Sequence, residues 1–460
     1  MNEFGPVKRI HFIGVGGAGM CGLAEILHNL GFTVSGSDLK LSAVTARLAG
    51  MGVRVYEGHR AGNLGAAEVV VTSTAVAADN PEVVAARVRR IPVIPRAEML
   101  AELMRLKKGI AVCGTHGKTT TTSILATLLA EAGWEPTFVV GGRLNGVGAN
   151  AKLGAGDYFV AEADESDGSF LKLAPIYAIC TNIDADHLDY YGDYERVKTA
   201  FVEFLDKIPF YGVGLVCADD PGVAAILERV SKPILTYGTA PERDIVVSAI
   251  RGEGLSASFD LSVRGRGLGR LTVNLPGRLS ALNAGAAAGL ATILGVDFAT
   301  IQRSLKEFKG VEMRFQRLGE VQGEITVMHD YAHHPREIET MLTALREAYP
   351  HRRLVAVFQP HRYTRTRDQL TAFPGALALA DVVIVTGIYP AGETAIVGVS
   401  EEGIVAGLMR MGHGAVFHIP DKTKIPAQVA AVMRPGDLIV HVGAGDVWKV
   451  AEDVLRYLNN

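Results

Sequence analysis

Long apolar runs are missing from this 460-residue chain. Although 48% of its residues are hydrophobic, no stretch approaches the roughly 20 residues a membrane-spanning helix requires. Cysteine is scarce. Cys21, Cys113, Cys180 and Cys217 stand far apart and form no Cys-x-x-Cys pair, which argues against a zinc ribbon or a disulfide framework and fits a reducing cytoplasm. Charge of one sign is not in excess either. With 46 basic and 49 acidic residues, for a formal net charge of −3, the chain as a whole has no electrostatic reason to bind nucleic acid or an anionic membrane. Any anion site must be local. The segment Met1–Arg9 mixes charges and leads into a strand-like run, without the basic-apolar-small order of a signal peptide. No fixed-period repeat or low-complexity tract is visible. A cytoplasmic protein, monomer or homodimer, is the expectation.

The length exceeds what one hydrophobic core usually organises and suggests about three domains of ~100–200 residues. In the first hundred residues, short apolar runs at Arg9–Gly14, Thr33–Ser35, Val69–Thr72 and Ile91–Ile94 alternate with amphipathic segments, the pattern of a parallel α/β sheet. A polar helix, Ala97–Lys108, leads to a sharper strand–loop–helix unit over Ile110–Ala132, so the first boundary is set at 108. Strands follow at Tyr158–Ala161 and Ala178–Asn182. Between Ser248 and Leu275 the pattern changes. Leu255, Ala257, Phe259, Leu261 and Val263 alternate with mostly polar residues, which predicts a half-buried antiparallel strand, and a turn over Arg264–Gly269 should close a hairpin onto Leu271–Leu275. Beyond Arg314 the βα rhythm returns, with strands at Ile325–His329, Leu354–Phe358, Val382–Thr386 and Leu438–Val442. The expected architecture is α/β with three domains: a Rossmann-like domain over 1–108, a central P-loop domain with a β-appendage over 109–315, and a C-terminal Rossmann-like domain over 316–460.

The sharpest chemical signal is Gly114, Thr115, His116, Gly117, Lys118, Thr119 and Thr120, between the strand Ile110–Cys113 and a helix beginning near Lys118. Glycines let backbone N–H groups turn toward one point, a helix N-terminus adds positive potential, Lys118 is a mobile cation, and a threonine hydroxyl can hold Mg²⁺. Val112 stands where the first glycine of G-x-x-x-x-G-K-[ST] would be. Two acidic clusters follow apolar strands: Glu162, Asp164, Glu165 and Asp167, then Asp184, Asp186, His187 and Asp189. Ligands gather at the carboxyl ends of parallel strands, so all three clusters can converge on one edge, where carboxylates would bridge Mg²⁺ to phosphates.

Gly14-Val15-Gly16-Gly17-Ala18-Gly19, with Asp38 after the next strand, matches G-x-G-x-x-G. By itself this turn suits NAD(P) or another nucleotide diphosphate. In the last third, His329, Asp330, Tyr331, His333 and His334, then His361, Arg362, Tyr363 and Arg365, then Tyr389 and Asp446 each follow a strand. Paired arginines suit bidentate recognition of a carboxylate or phosphate. The adjacent His333 and His334 lack the spacing of a zinc site.

Taken together, Gly14–Met20, Gly114–Thr120, Glu162–Phe170, Thr181–Asp189, Asp330–Pro335 and Phe358–Thr366 resemble, in order, the motifs of the Mur ligase family, and AEADESDGSF, TNIDADHLD, DYAHHP and FQPHRYTRT are similar to its alanine-adding branch. The resemblance implies an ATP- and Mg²⁺-dependent ligase that joins L-alanine to the lactyl carboxylate of UDP-N-acetylmuramate through an acyl phosphate. It implies that Gly16, Gly17, Ala18, Gly19 and Met20 hold the substrate diphosphate, with Ser37 and Asp38 near the uridine. Lys118 would bind the β/γ-phosphates, Thr119 and Glu162 a first Mg²⁺, and His187 a second. Asn283, Arg314 and Asp330 would hold ATP between the domains, and His361, Arg362 and Arg365, with Tyr331 and His333, would surround the alanine and the reacting centre. Two segments depart from the family. Its G-x-H-N-x-x-N reads Gly277, Arg278, Leu279, Ser280, Ala281, Leu282 and Asn283 here, and Phe201 occupies the place of a carbamylated lysine found in some relatives, with Lys198 off register. Alternative readings are a murein peptide ligase adding a preformed peptide to the same UDP-sugar, and a nicotinamide-dependent oxidoreductase resting on the first glycine fingerprint alone.

Overall fold

A computed structural model describes residues 4–73, 75–321 and 323–459; the first three residues of Met1–Arg9 therefore lie outside the described residues. Three sheets carry the chain. The first joins β1 (Arg9–Ile13), β2 (Thr33–Asp38), β3 (Arg54–Glu57), β4 (Val69–Thr72) and β5 (Val93–Pro95) in the order β3-β2-β1-β4-β5, all parallel. Strand order reverses direction at β1, so the glycine loop that follows β1 opens at a topological switch point, where open α/β sheets bind ligands. Ile10, Phe12, Val70 and Val71 are buried, as continuous apolar strands covered on both faces must be.

The second sheet contains β6 (Lys108–Cys113), β7 (Thr137–Leu144), β8 (Ala149–Lys152), β9 (Tyr158–Glu162), β10 (Tyr177–Cys180), β11 (Val213–Cys217), β12 (Ile234–Gly238), β13 (Ile245–Glu253), β14 (Ser256–Val263) and β15 (Arg266–Val273). Its order is β15-β14-β13-β12-β11-β10-β6-β9-β7-β8. β6 lies between β10 and β9 and is parallel to both, so the three predicted clusters do leave adjacent strand ends. Cys113 is in register with Cys180 on β10, and all four cysteines are buried and free. The appendage behaves as its alternation predicts, with Ala257, Phe259 and Leu261 buried along β14. The turn is shorter than expected. Arg264 and Gly265 both take positive φ, 50° and 76°, the signature of a two-residue hairpin turn, so Arg266–Gly269 already belongs to β15.

The third sheet comprises β16 (Gln316–Val321), β17 (Ile325–Asp330), β18 (Leu354–Phe358), β19 (Val382–Val385), β20 (Val416–His418) and β21 (Leu438–Val442) in the order β16-β17-β21-β18-β19-β20. All pairs are parallel except β16 with β17. By compactness the chain divides into two units, Met1–Ser248 with Leu261–Gly269 and Asn283–Ser304, and Ala249–Asp260 with Arg270–Leu282 and Leu305–Asn460. The helix expected as polar over Ala97–Lys108 spans Arg96–Arg105 and buries Ala97, Met99, Leu100, Ala101, Leu103 and Met104. Its charged residues occupy the other face, which hides the stripe from a reading by composition. Among the described residues no helix is long and apolar enough to cross a membrane.

Candidate active site

β6 delivers its loop into the helix Lys118–Glu131 through Gly117, whose φ of 82° is left-handed. Gly117 is also required by a close approach, since a Cβ there would lie 2.6 Å from the Asn283 amide nitrogen. The loop is latched from β10's end. His116 N–H donates to Asn182 Oδ1 at 2.8 Å, and the Thr181 hydroxyl and the Asn182 amide both donate to the His116 carbonyl, at 2.6 and 2.8 Å. Asp184 N–H donates to the Thr115 hydroxyl at 2.9 Å, and the His116 ring lies 3.2 Å from the Asp184 carboxylate. Backbone donors are thus held in a fixed arrangement before any ligand arrives.

Lys118 donates to the carbonyls of Gly114 and Thr115 at 2.7 and 3.1 Å and pairs with Glu165 at 2.7 Å. Burial favours its neutral form, but the carboxylates of Glu165, Asp164 and Glu162 outweigh burial and raise its pKa above the ordinary lysine value. Burial pushes Glu165 up to about 7 against the pull of Lys118. For Asp164 burial also acts upward, yet Lys118, Ser166 and His187 hold the carboxyl below the usual range. The Thr119 hydroxyl donates to Glu162, 3.0 and 2.9 Å from its two oxygens, and Gly141 N–H donates to the same carboxylate at 2.8 Å. His187 adopts φ 54° and heads a short helix, its ring 3.6 Å from Asp186. Thr120 is half-buried in the first helical turn. Asn283 is buried with its Oδ1 unbonded to any described residue, an acceptor left for a ligand.

At the first loop, Gly14 and Val15 N–H donate to the Ser37 carbonyl at 2.8 and 3.0 Å, and Gly16 N–H to Asp38 at 2.8 Å. Gly17 precedes the helix Ala18–Asn29, which contains Gly19 and Met20 and has no side-chain cap. The Ser37 side chain is fully buried, with its hydroxyl 2.6 Å from Glu82 and 2.9 Å from His59. The hydroxyl turns inward while the Ser37 carbonyl holds the glycine loop. Glu82 also accepts from Asn63 at 2.6 Å and contacts His11 at 3.1 Å.

In the second unit, Asp330 accepts from Phe315 and Ala332 N–H, both at 2.8 Å. Burial raises its pKa while Arg314 opposes. The Arg314 guanidinium lies 5.3 Å from the Tyr331 ring centre and 3.8 Å from Glu337. His333 packs its ring 5.9 Å from His361, which stacks on Tyr389 at 5.6 Å. Burial, reinforced by Arg365 and Arg362, lowers His361 to about 4, so it is neutral at pH 7. Arg365 Nη1 approaches His361 Nδ1 at 3.3 Å. Because guanidinium only donates, Nδ1 accepts and the ring proton sits on Nε2. Arg362 pairs with Glu393 at 2.6 Å.

Glu337 and Glu393 received no role from the sequence, and Glu165 only that of one carboxylate in an acidic cluster, not that of the partner of Lys118. Glu165 was visible, three residues after Glu162; Glu393 gives no local sign, because its partner is 31 residues away. Phe201 is fully buried against Phe170, and Lys198 pairs with Glu195 at 2.6 Å.

Family models match three consecutive stretches: Mur ligase family, catalytic domain, over residues 9–108; Mur ligase middle domain over 112–291; and Mur ligase, glutamate ligase domain, over 313–445. The UDP-N-acetylmuramate–L-alanine ligase of Solidesulfovibrio magneticus is 52% identical across 98% of both chains, and that of Geobacter sulfurreducens is 51% identical across 99% of this chain and 98% of its own. Among solved structures, the UDP-N-acetylmuramate-alanine ligase of Thermotoga maritima superposes with a TM-score of 0.80 at 30% identity, covering 97% of this chain and 98% of its own. A murein peptide ligase from Psychrobacter arcticus gives 0.72 at 26% identity, over 98% and 99%. With a phosphate loop, its acidic partners and an arginine-histidine face all built from the motifs these matches span, the chain belongs to the Mur ligase family.

Proposed function

We propose that this protein is an ATP-dependent amide-bond-forming ligase that joins L-alanine to UDP-N-acetylmuramate in peptidoglycan synthesis in the cytoplasm. The observation that carries the reading is the Lys118–Glu165 and Thr119–Glu162 pairing inside a latched phosphate loop, in a chain half identical to alanine-adding ligases over nearly its full length. We also propose domain boundaries at 108/109 and 315/316.

Lys118 and the loop Gly114–Thr120 are assigned to the ATP phosphates, with the N–H groups of Thr115 and His116 spent on latching the loop to Asn182, and the Asn283 amide is assigned to the nucleotide. Thr119 and Glu162 offer hard-oxygen donors that fit a first Mg²⁺, and His187 is assigned to a second; bound there, the ions would neutralise phosphate charge as the γ-phosphoryl group moves to the lactyl carboxylate. From the second unit, Arg314 and Asp330 are assigned to the nucleotide, and Tyr331, His333, Arg362 and Arg365 to the amino acid. His361, neutral and protonated on Nε2, donates to a substrate oxygen. Attack of the alanine amine on the acyl phosphate then forms the amide and releases phosphate. The loop Gly16–Met20 is assigned to the UDP-sugar diphosphate, with Asp38 toward the uridine, which leaves no task for a nicotinamide.

The test is phosphate release from MgATP with UDP-N-acetylmuramate, with and without L-alanine, and with a tripeptide in its place. Release that requires alanine is the expected result. Turnover with tripeptide but not alanine would make the protein a murein peptide ligase instead.

A further inference from the structure

The helix that follows the first glycine loop has one carboxylate near its start, Asp38, and that carboxylate is engaged by the Gly16 N–H. Gly17 supplies no side-chain cap, and the first turn of Ala18–Asn29 holds no acidic residue. Beside this turn lies a second positive group. A Cβ built on Gly19 would stand 3.0 Å from Arg96 Cδ and 3.2 Å from both Nε and Nη1, so the guanidinium is pressed against the turn through the space a side chain would occupy. Arg96 is half-buried and has no hydrogen bond or ion pair with any described residue. The nearest acids in its own helix are taken, Glu98 by Lys172 and Glu102 by Arg105.

A cation at a helix N-terminus is repelled by the macrodipole, and a partly desolvated guanidinium without an acceptor is costly. The arrangement is nevertheless anchored, because Ala97, Met99 and Leu100 bury the helix that carries Arg96. Two positive groups side by side are reconciled by a dianion, and a guanidinium matches phosphate oxygens in bidentate fashion. We propose that Arg96 is a substrate-binding residue that clamps the diphosphate of the UDP-sugar over Gly19. The proposal rests on the assignment of this loop to the UDP-sugar and adds a residue that lies outside its motif.

The experiment titrates uridine, UDP and UDP-N-acetylmuramate into the full chain and into Arg96→Gln, Arg96→Lys and Gly19→Ala, with KM for ATP measured beside them. Arg96→Gln should weaken UDP and the UDP-sugar roughly 10- to 100-fold while leaving uridine affinity and the KM for ATP unchanged. Gly19→Ala keeps every charge but displaces the guanidinium, and should give the same selective loss; Arg96→Lys should recover part of it. Equal weakening of uridine and UDP, or full UDP affinity in both Arg96→Gln and Gly19→Ala, overturns the clamp. If the parent chain binds neither UDP nor the UDP-sugar, the reading of the loop itself fails, and the clamp with it.

Discussion

The chain builds a strand–glycine–helix anion cradle twice, after β1 and after β6, and the two are furnished differently. The second carries its own cation, Lys118, and surrounds it with Glu162, Asp164 and Glu165. The first carries no lysine, ties one N–H to Asp38, and is approached by Arg96 from a helix almost eighty residues downstream in sequence. A cradle that must move a phosphoryl group needs a cation and metal-binding carboxylates in reach of the same oxygens. One that only grips a diphosphate needs donors and positive charge, and acidic neighbours would oppose it. On the proposed assignments the same backbone solution serves chemistry in one place and retention in the other, and the side chains around it decide which.

That contrast can be broken most forcefully at Lys118. Lys118→Ala should lower turnover about 10³-fold or more while leaving UDP affinity intact, as measured by phosphate release and by UDP titration; a variant that loses both would show the cradles are not independent. Glu162→Gln should cost about 10²-fold in kcat and raise the Mg²⁺ concentration for half-maximal rate, with no effect on UDP binding. Asn283→Ala, which removes a buried amide from above Gly117, should raise the KM for ATP by about 10-fold with kcat little changed. The smallest effect concerns pH. Glu165 is pushed up to about 7, so it is neutral below that value and ionised above it, where it competes with phosphate for Lys118. ATP should bind several-fold more weakly at pH 8 than at pH 6, and Glu165→Gln should flatten the difference. Since the folded pKa exceeds the unfolded one, the native state holds the extra proton between about pH 4.5 and 7, and stability falls as pH rises through that window. Glu165→Gln should remove this slope from pH-dependent thermal unfolding.

Both cradles were readable in the sequence because each is local: a strand, a glycine cluster and a helix within about twenty residues. So were the two acidic clusters, and the sheet order explains why they meet, with β9 and β10 flanking β6. Long-range partners were not readable. Nothing near Arg362 announces Glu393, and nothing near Gly19 announces Arg96, since those distances are set by packing. Ser37 shows the same limit: nothing near it announces Glu82, which draws its hydroxyl inward from a distant helix. Among strands, β3, β7, β8, β11, β12, β13, β16 and β20 were not picked out from the sequence; β3, β8 and β20 span only three or four residues, too few to show an apolar run or a clean alternation.

The register of Cys113 with Cys180, at the carboxyl ends of β6 and β10, gives the protein a built-in reporter. Both thiols are fully buried, each one residue before a segment that shapes the phosphate loop, Gly114 or Thr181. A thiol reagent can reach them only when the sheet edge opens, so their rate of modification clocks that opening. A nucleotide that binds the closed loop should slow the clock in proportion to its occupancy.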